Sequence, residues 1–233
     1  MPMVWNETTV KWYKDASDYT GYSAKLAGLL LEKIDARNSL CDLGCGISLV
    51  DMELAGEIGS ITCIDSDSFA VEETRRIARQ KGIENITAMC QNAVSAKGAF
   101  DTVMCLFHGN IEQYIDTYSK LAKHRFIAVV HDDPDELVRM NKPRIRQLTS
   151  VSQTSQHLKD RGIHHSIQRC TLEFGQPFTS RQQAREYVVH YKKVAEGESA
   201  GQCVDRCTVG TEREDFPLYI PHQRRFAIFT IDM

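Results

Sequence analysis

Five short apolar runs, residues 40–43, 61–64, 86–89, 102–107 and 126–130, are separated by longer stretches whose apolar residues recur at helical spacing. Each run is apolar at consecutive rather than alternate positions, the pattern of a strand covered on both faces. Strands of that kind alternating with amphipathic helices imply an α/β fold, a parallel sheet with helices packed on its two sides. The clearest helix is expected over 68–81. Ser68 can cap its start, Glu72 and Glu73 lie in its first turns, Arg75, Arg76, Arg79 and Lys81 load its far end, and Gly82 stops it. That charge order suits the helix dipole, and Val71, Thr74, Ile77 and Ala78 form an inward stripe.

Ahead of the first run, Tyr22, Leu26, Leu29, Leu30 and Ile34 recur at helical spacing. Beyond residue 130 the pattern predicts a helix over 135–160 broken near Pro143, a strand over 163–174, a helix over 180–193 and a last strand over 225–231. Residues 196–215 are polar, carry Gly197, Gly201 and Gly210, and are expected to form a long loop.

Composition excludes several classes. With 42% hydrophobic and 25% charged residues in 233, the chain is in the range of ordinary globular proteins, so global disorder is ruled out. No apolar run approaches the roughly 18 residues that span a bilayer. The start of the chain has neither a basic nor an apolar leader region, so a cytoplasmic location without membrane partners is expected. Of eight cysteines, Cys41, Cys63, Cys90 and Cys105 lie in or beside strand-like runs, where Cys acts as a small hydrophobe, and no disulfide framework is implied. Cys203 and Cys207 read as two reduced thiols in a polar loop rather than a zinc site. Residues 1–133 carry 13 Lys and Arg against 19 Asp and Glu, and the remainder 15 against 12. The basic cluster Arg139, Lys142, Arg144 and Arg146 falls short of the field expected of a nucleic-acid binder, so nucleic acid is set aside as a partner.

The segment Leu40-Cys41-Asp42-Leu43-Gly44-Cys45-Gly46-Ile47-Ser48 joins a buried strand to a two-glycine turn and then a helix. Glycine at 44 and 46 lets the backbone turn sharply and a ligand lie against main chain. A dinucleotide fingerprint would need a third glycine at 49, where this chain has Leu49. Asp42 beside the turn would repel a phosphate and attract an ammonium. The next apolar run ends in Asp65, an acid at the strand end where ribose hydroxyls are received. Asp67 and Ser68 are better placed to cap the following helix, which leaves Asp65 for that role.

These residues, with Cys90-Gln91-Asn92-Ala93 after the third run and Phe100-Asp101-Thr102-Val103-Met104 entering the fourth, resemble the class I S-adenosylmethionine-dependent methyltransferases over about residues 20–131. The resemblance implies a Rossmann-like, mostly parallel sheet of seven strands with helices on both faces, ordered 3-2-1-4-5-7-6, its last strand antiparallel and contributed by residues 225–231. It implies one domain over 1–233, divided into an N-terminal helical lid (1–36), a cofactor-binding core (37–133) and a substrate-side excursion with the final strands (134–233). S-adenosyl-L-methionine is the cofactor it implies. Gly44, Cys45 and Gly46 would pass under the methionine part, and Asp42 would hold its ammonium. Asp65 would take the ribose and Ser66 would lie beside the adenine. Asn92 stands where the family commonly has Asp for the adenine amino group, and its carbonyl can accept the same bond; Ala93 would line the ring.

In-line displacement at a sulfonium needs positioning first, and a base only for a protonated acceptor. The acceptor is expected beyond the fourth and fifth strands, at Phe107-His108-Gly109-Asn110 and His131-Asp132-Asp133-Pro134. His108 is the first candidate for base or acceptor contact and His131 the second, with Phe107 beside the cofactor. His164 and His165 fall inside a strand-like run and are read as structural. Asp132 and Asp133 read as a helix cap rather than a metal site, because His108 stands where a magnesium set would need an acid. The Asn/Asp-Pro-Pro-Tyr/Phe segment of amide and adenine methyltransferases is missing, so a small-molecule acceptor is expected. Trp5, Trp12, Tyr13, Tyr19 and Tyr22 crowd the N-terminus; Tyr13 and Tyr19 are the lid residues expected at the cofactor, the alternative being that the rings simply pack the first helix. Three other functions remain open at this point: a binding module without catalysis, a nucleic-acid methyltransferase and a nicotinamide-dependent reductase.

Overall fold

The computed structural model describes residues 4–35, 38–109, 111–132 and 151–233. Its elements, in order, are α1 (Glu7–Thr20), α2 (Tyr22–Leu31), β1 (Ser39–Leu43), α3 (Leu49–Leu54), β2 (Ser60–Asp65), α4 (Ser68–Lys81), β3 (Ile86–Cys90), β4 (Phe100–Leu106), α5 (Ile111–Tyr118), β5 (Ala122–His131), α6 (Val151–Asp160), β6 (Ser166–Glu173), β7 (Gln176–Phe178), α7 (Arg181–His190), α8 (Ala200–Cys207), β8 (Val209–Gly210), β9 (Leu218–Ile220) and β10 (Gln223–Asp232). Among the described residues, seven strands form one sheet in the order β3-β2-β1-β4-β5-β10-β6, and β7-β9-β8 form a second, smaller one. Strands β3, β2, β1, β4 and β5 run parallel, and β10 pairs antiparallel with β5, Phe226 opposite His131 and Asp232 opposite Arg125. The order and the inserted antiparallel strand are those the family resemblance implies. None of the described helices is long and apolar enough to cross a membrane.

The chain divides into two compact units. The first comprises Met1–Val10, Ser23–Thr171 and Arg225–Met233, and the second Lys11–Tyr22 and Leu172–Arg224. In the first unit, side chains alternate across each strand. Cys41, Leu43, Val103, Cys105, Phe126, Ala128 and Phe229 face one side, where Ile111, Ile115 and Tyr118 of α5 and Val151 and Leu158 of α6 cover them. Each large side chain buried there contributes roughly 1.5–3 kcal/mol. Asp42, between Cys41 and Leu43, therefore points to the opposite face.

The second unit is built on aromatic rings. Trp12 meets Tyr187 and His190 edge-on at 5.2 and 5.4 Å, Tyr13 meets Phe174 at 5.2 Å, and Tyr19 stacks on Tyr219 at 4.8 Å. Tyr22 lies 4.3 Å from Phe174, and the Arg224 guanidinium sits over both rings.

Several expectations need correcting. The run 86–89 forms an edge strand in which Ala88 alone is buried; Met89 and Cys90 are exposed. Residues 196–215 contain helix α8, closed by a capping box in which Ser199 and Gln202 exchange side-chain and backbone hydrogen bonds. Cys203 and Cys207 are thus one turn apart on a helix, their sulfurs 3.9 Å apart. The helix expected from Tyr22 is α2, and a further helix, α1, precedes it, the two separated at Gly21, whose φ of +66° L-residues avoid. Of the expected helix over 135–160 only α6 lies within the described residues. Pro143, Asp133 and the basic cluster 139–146 lie outside them.

Helix α4 begins at Ser68 as expected, but its cap is Asp67, whose Oδ1 accepts from the Phe69 and Ala70 amides at 2.9 and 3.1 Å. Gly82, at φ +66°, ends it. Asp67→Ala should lower stability by about 1 kcal/mol, read as a lower urea midpoint with unchanged slope. An unshifted midpoint would show that the cap is dispensable.

Candidate functional site

The turn after β1 is shaped by backbone geometry before any ligand is considered. Gly44, Gly46 and Ser48 all adopt left-handed conformations, with φ of +75°, +56° and +54°. Two of the three are glycine, for which that region carries no penalty, and Ser48 occupies it as a buried non-glycine residue. The turn's amides are consumed internally. Gly44 and Cys45 both donate to the Ile64 carbonyl, at 2.7 and 3.2 Å, and Ser48 donates to Cys45 at 3.1 Å. The Gly46 amide donates to Asp65 Oδ2 at 2.8 Å. A phosphate-binding turn displays free amides; this one displays none of these four.

Asp65 holds the turn in place. Its Oδ2 receives Gly46, and its Oδ1 receives the Asp67 amide at 2.9 Å. A carboxylate oxygen has two lone pairs, so each can still accept a hydroxyl proton. The cap that competes for this role belongs to Asp67.

Rings stand over the glycines. A Cβ on Gly44 would fall 2.0 Å from His108 Cγ, and one on Gly46 would fall 2.7 Å from Trp5 Cζ2. His108 and Trp5 thus lie flush against the turn. His108 is half-buried; burial pulls its pKa below the ordinary imidazole value, while Asp65 pushes it back up. The imidazole is therefore neutral at pH 7. Its position depends on Phe107, an aromatic residue held at φ +55°, where such residues are outliers. The Phe107 amide donates to Val129 at 2.8 Å, and its ring packs on His131 at 4.6 Å and Phe226 at 5.7 Å. His131 belongs to that ring stack.

Under the turn lies an unexpected group. Asp42, on β1, and Asp51, on α3, are both fully buried and face each other, with Cys63 of β2 and Ser48 beside Asp51. Burial and the neighbouring Asp51 raise the Asp42 carboxyl well above the usual range. Burial raises Asp51 to about 6, against the pull of Asp42, Ser48 and Cys63. Asp51 was invisible as a site residue in the sequence, since an acid in a helix's first turn normally reads as a dipole partner.

The remaining expected positions are placed as follows. Asn92 is exposed, and its Oδ1 accepts from the Val94 amide at 3.0 Å, capping a short 3-10 turn. Ala93 in that turn is buried, and Ser66 is exposed beyond β2. The rings of Tyr13 and Tyr19 pack on Phe174 and Tyr219 inside the second unit. Both rings have packing partners there, and Trp5, of the same N-terminal aromatic cluster, is the ring set on the glycine turn. Asn110 lies outside the described residues. Asp132 pairs with Arg169 at 3.0 Å, and no cluster of three metal-ligating side chains occurs among the described residues. His165 bonds Ser155 and the Ile163 carbonyl, a structural use.

The chain is similar to known proteins in sequence over residues 24–128 and in fold over most of its length. Residues 24–128 match the family described as Methyltransferase small domain. No curated protein matches the chain. Among solved structures, magnesium protoporphyrin IX methyltransferase from Synechocystis PCC 6803, with bound S-adenosylhomocysteine, superposes with a TM-score of 0.59 at 15% identity, covering 99% of this chain and 89% of that one. Precorrin-6y C5,15-methyltransferase from Geobacter metallireducens gives 0.53 at 13% identity, covering 89% and 88%. A protein from Pyrococcus horikoshii described as a candidate RNA methyltransferase gives 0.51 at 10%, covering 91% and 84%. At such identities the structural likeness establishes the fold. Over residues 24–128 the chain is thus similar to the methyltransferase small domain, and its fold is that of the solved methyltransferase structures.

Proposed function

We propose that this protein transfers the methyl group of S-adenosylmethionine to a small-molecule acceptor in the cytoplasm. The observation that carries the reading is the turn itself, with its amides already bonded, an acid at the end of each adjoining strand and a tryptophan ring on Gly46. That set suits a cationic nucleoside and not a diphosphate, which weighs against a nicotinamide-dependent reductase.

Asp65 receives the ribose hydroxyls, and Asp42, with Oδ1 buried and without a donor, attracts the ammonium. Gly44, Cys45 and Gly46 give the backbone surface under the methionine part, while Ser66, Asn92, Ala93 and Phe107 line the adenine side and the pocket wall. The Trp5 face is placed to favour positive charge. The cofactor supplies an electrophilic methyl carbon with a good leaving group. The protein's task is then to exclude water and align the acceptor. Neutral His108 can take a proton from an acceptor hydroxyl, amine or thiol, with His131 and Phe107 fixing its ring.

The direct test incubates the protein with S-adenosylmethionine and panels of small molecules or RNA, and follows S-adenosylhomocysteine release. Turnover with RNA alone would overturn the acceptor class. Asp65→Ala should weaken S-adenosylmethionine binding by about 1–3 kcal/mol in calorimetry; an unchanged Kd contradicts the ribose role. In a Trp12→Phe protein the remaining tryptophan is Trp5, and its emission should change on adding S-adenosylhomocysteine. Emission that stays constant at saturation would place the ligand away from the turn. His108→Ala should lower kcat with little effect on cofactor affinity. Because burial lowers the His108 pKa, wild-type rate should hold level through neutrality and fall only below about pH 6.5, the ordinary imidazole value. A fall beginning above neutrality would exclude His108 as the base.

A further inference from the structure

The buried acids under the turn have a use that the methyl-transfer reading leaves open. Asp42 and Asp51 are 1% and 0% exposed. Asp42 Oδ1, both Asp51 oxygens and Ser48 Oγ are buried with no hydrogen-bond partner. A single proton shared between the two carboxyls gives one oxygen of each a partner, whereas two adjacent buried anions would repel in a medium of low dielectric. The titratable groups that face the pair from the surrounding elements are acids and thiols: Cys41 of β1, Cys45 of the turn, Cys63 and Asp65 of β2, and Cys105 of β4. His108 faces Asp65 rather than the pair.

We propose that Asp51 is a positioning residue, which with Asp42 forms a one-proton carboxyl pair under the glycine turn and gives that proton up when the ammonium of the cofactor settles above it. This rests on the cofactor reading. In the free protein the pair carries one proton and one negative charge. An ammonium arriving at Asp42, directly or across one water, replaces the proton as the compensating positive charge. The O–H bond of the pair breaks, the proton passes to bulk solvent, and two carboxylates remain against one ammonium. No other reactant is needed. Asp51 acts through Asp42: its acid neighbour keeps Asp42 protonated until the ligand is present, so the unliganded interior never holds two uncompensated anions.

Proton release is measurable. Calorimetric titration of S-adenosylhomocysteine at pH 7.5 in buffers of differing ionisation enthalpy should show a substantial fraction of one proton released per ligand bound. By linkage the Kd should then fall with rising pH, by at most about tenfold per unit. Infrared difference spectra should lose a protonated-carboxyl band on ligand addition. Methylthioadenosine has the nucleoside and sulfur but no ammonium, and should release no proton. Asp51→Asn should abolish the release and flatten the pH dependence while still binding ligand, because its amide can donate to an ionised Asp42. Should that variant fail to fold, the wild-type buffer series and the methylthioadenosine comparison decide alone. Binding of S-adenosylhomocysteine without proton release, or equal release with both ligands, overturns the pair and leaves the cofactor site standing. No binding of either ligand overturns both.

Discussion

The hydrogen bond from the Gly46 amide to Asp65 Oδ2, 2.8 Å long, ties together the parts from which this site is built. It joins the turn leaving β1 to the end of β2, and the same carboxylate reaches forward to Asp67, whose side chain starts α4. One acid thus sets the height of the glycine turn and the entry of the next helix. With Gly44 and Cys45 already bonded to Ile64, the turn has lost the anion-binding capacity that makes similar turns phosphate sites. What it offers instead is backbone surface, flanked by acids. The chemistry of the ligand follows from which groups the fold has left available.

The turn also separates two electrostatic layers. Above it, Asp65 is half-exposed and still has lone pairs for a ligand. Beneath it, Asp42 and Asp51 have no solvent to support their charge. Burial of one carboxylate costs several kcal/mol, and burial of two adjacent ones costs more than Coulomb repulsion alone. Retaining both in a largely apolar core makes sense if a positive charge arrives there during function. A chain that only needed a filled core would have a smaller free-energy penalty with leucine at 51.

Much of this was legible in the sequence, for identifiable reasons. Strand runs were readable because burial on both faces leaves no polar alternation, and β1, β2, β4 and β5 were found from that. The same argument found the strand at 86–89 but overstated its burial, because an edge strand can be apolar in composition and still exposed, as Met89 is. Helix α8 was missed because its eight residues give too few turns for a periodicity to stand out, yet Ser199 and Gln202 carried its signature. At the turn, the left-handed glycines and the place of Asp65 beside them could be read because they depend on the local chain. Trp5 and Asp51 could not. Trp5 meets Gly46 across 41 positions, and Asp51 acquires its meaning only by facing Asp42 across the sheet–helix interface. Tyr13 and Tyr19 show the converse, since aromatic crowding says that rings are buried and not against what.

His108 shows how local strain can serve a distant geometry. Phe107 occupies a backbone region that costs about 1–3 kcal/mol for a residue of its kind. An unstrained residue at 107 would send the chain on along the direction of β4. The left-handed turn instead carries His108 back over Gly44, close enough that no side chain could be tolerated there. The strain is held by three fixed contacts, the bond to Val129 and the rings of His131 and Phe226. The glycine at 44 and the strained phenylalanine at 107 are therefore one device in two parts: the first removes a Cβ, and the second brings an imidazole into the space. Burial lowers the imidazole's pKa there, and a neutral imidazole is the form that the proposed proton transfer requires.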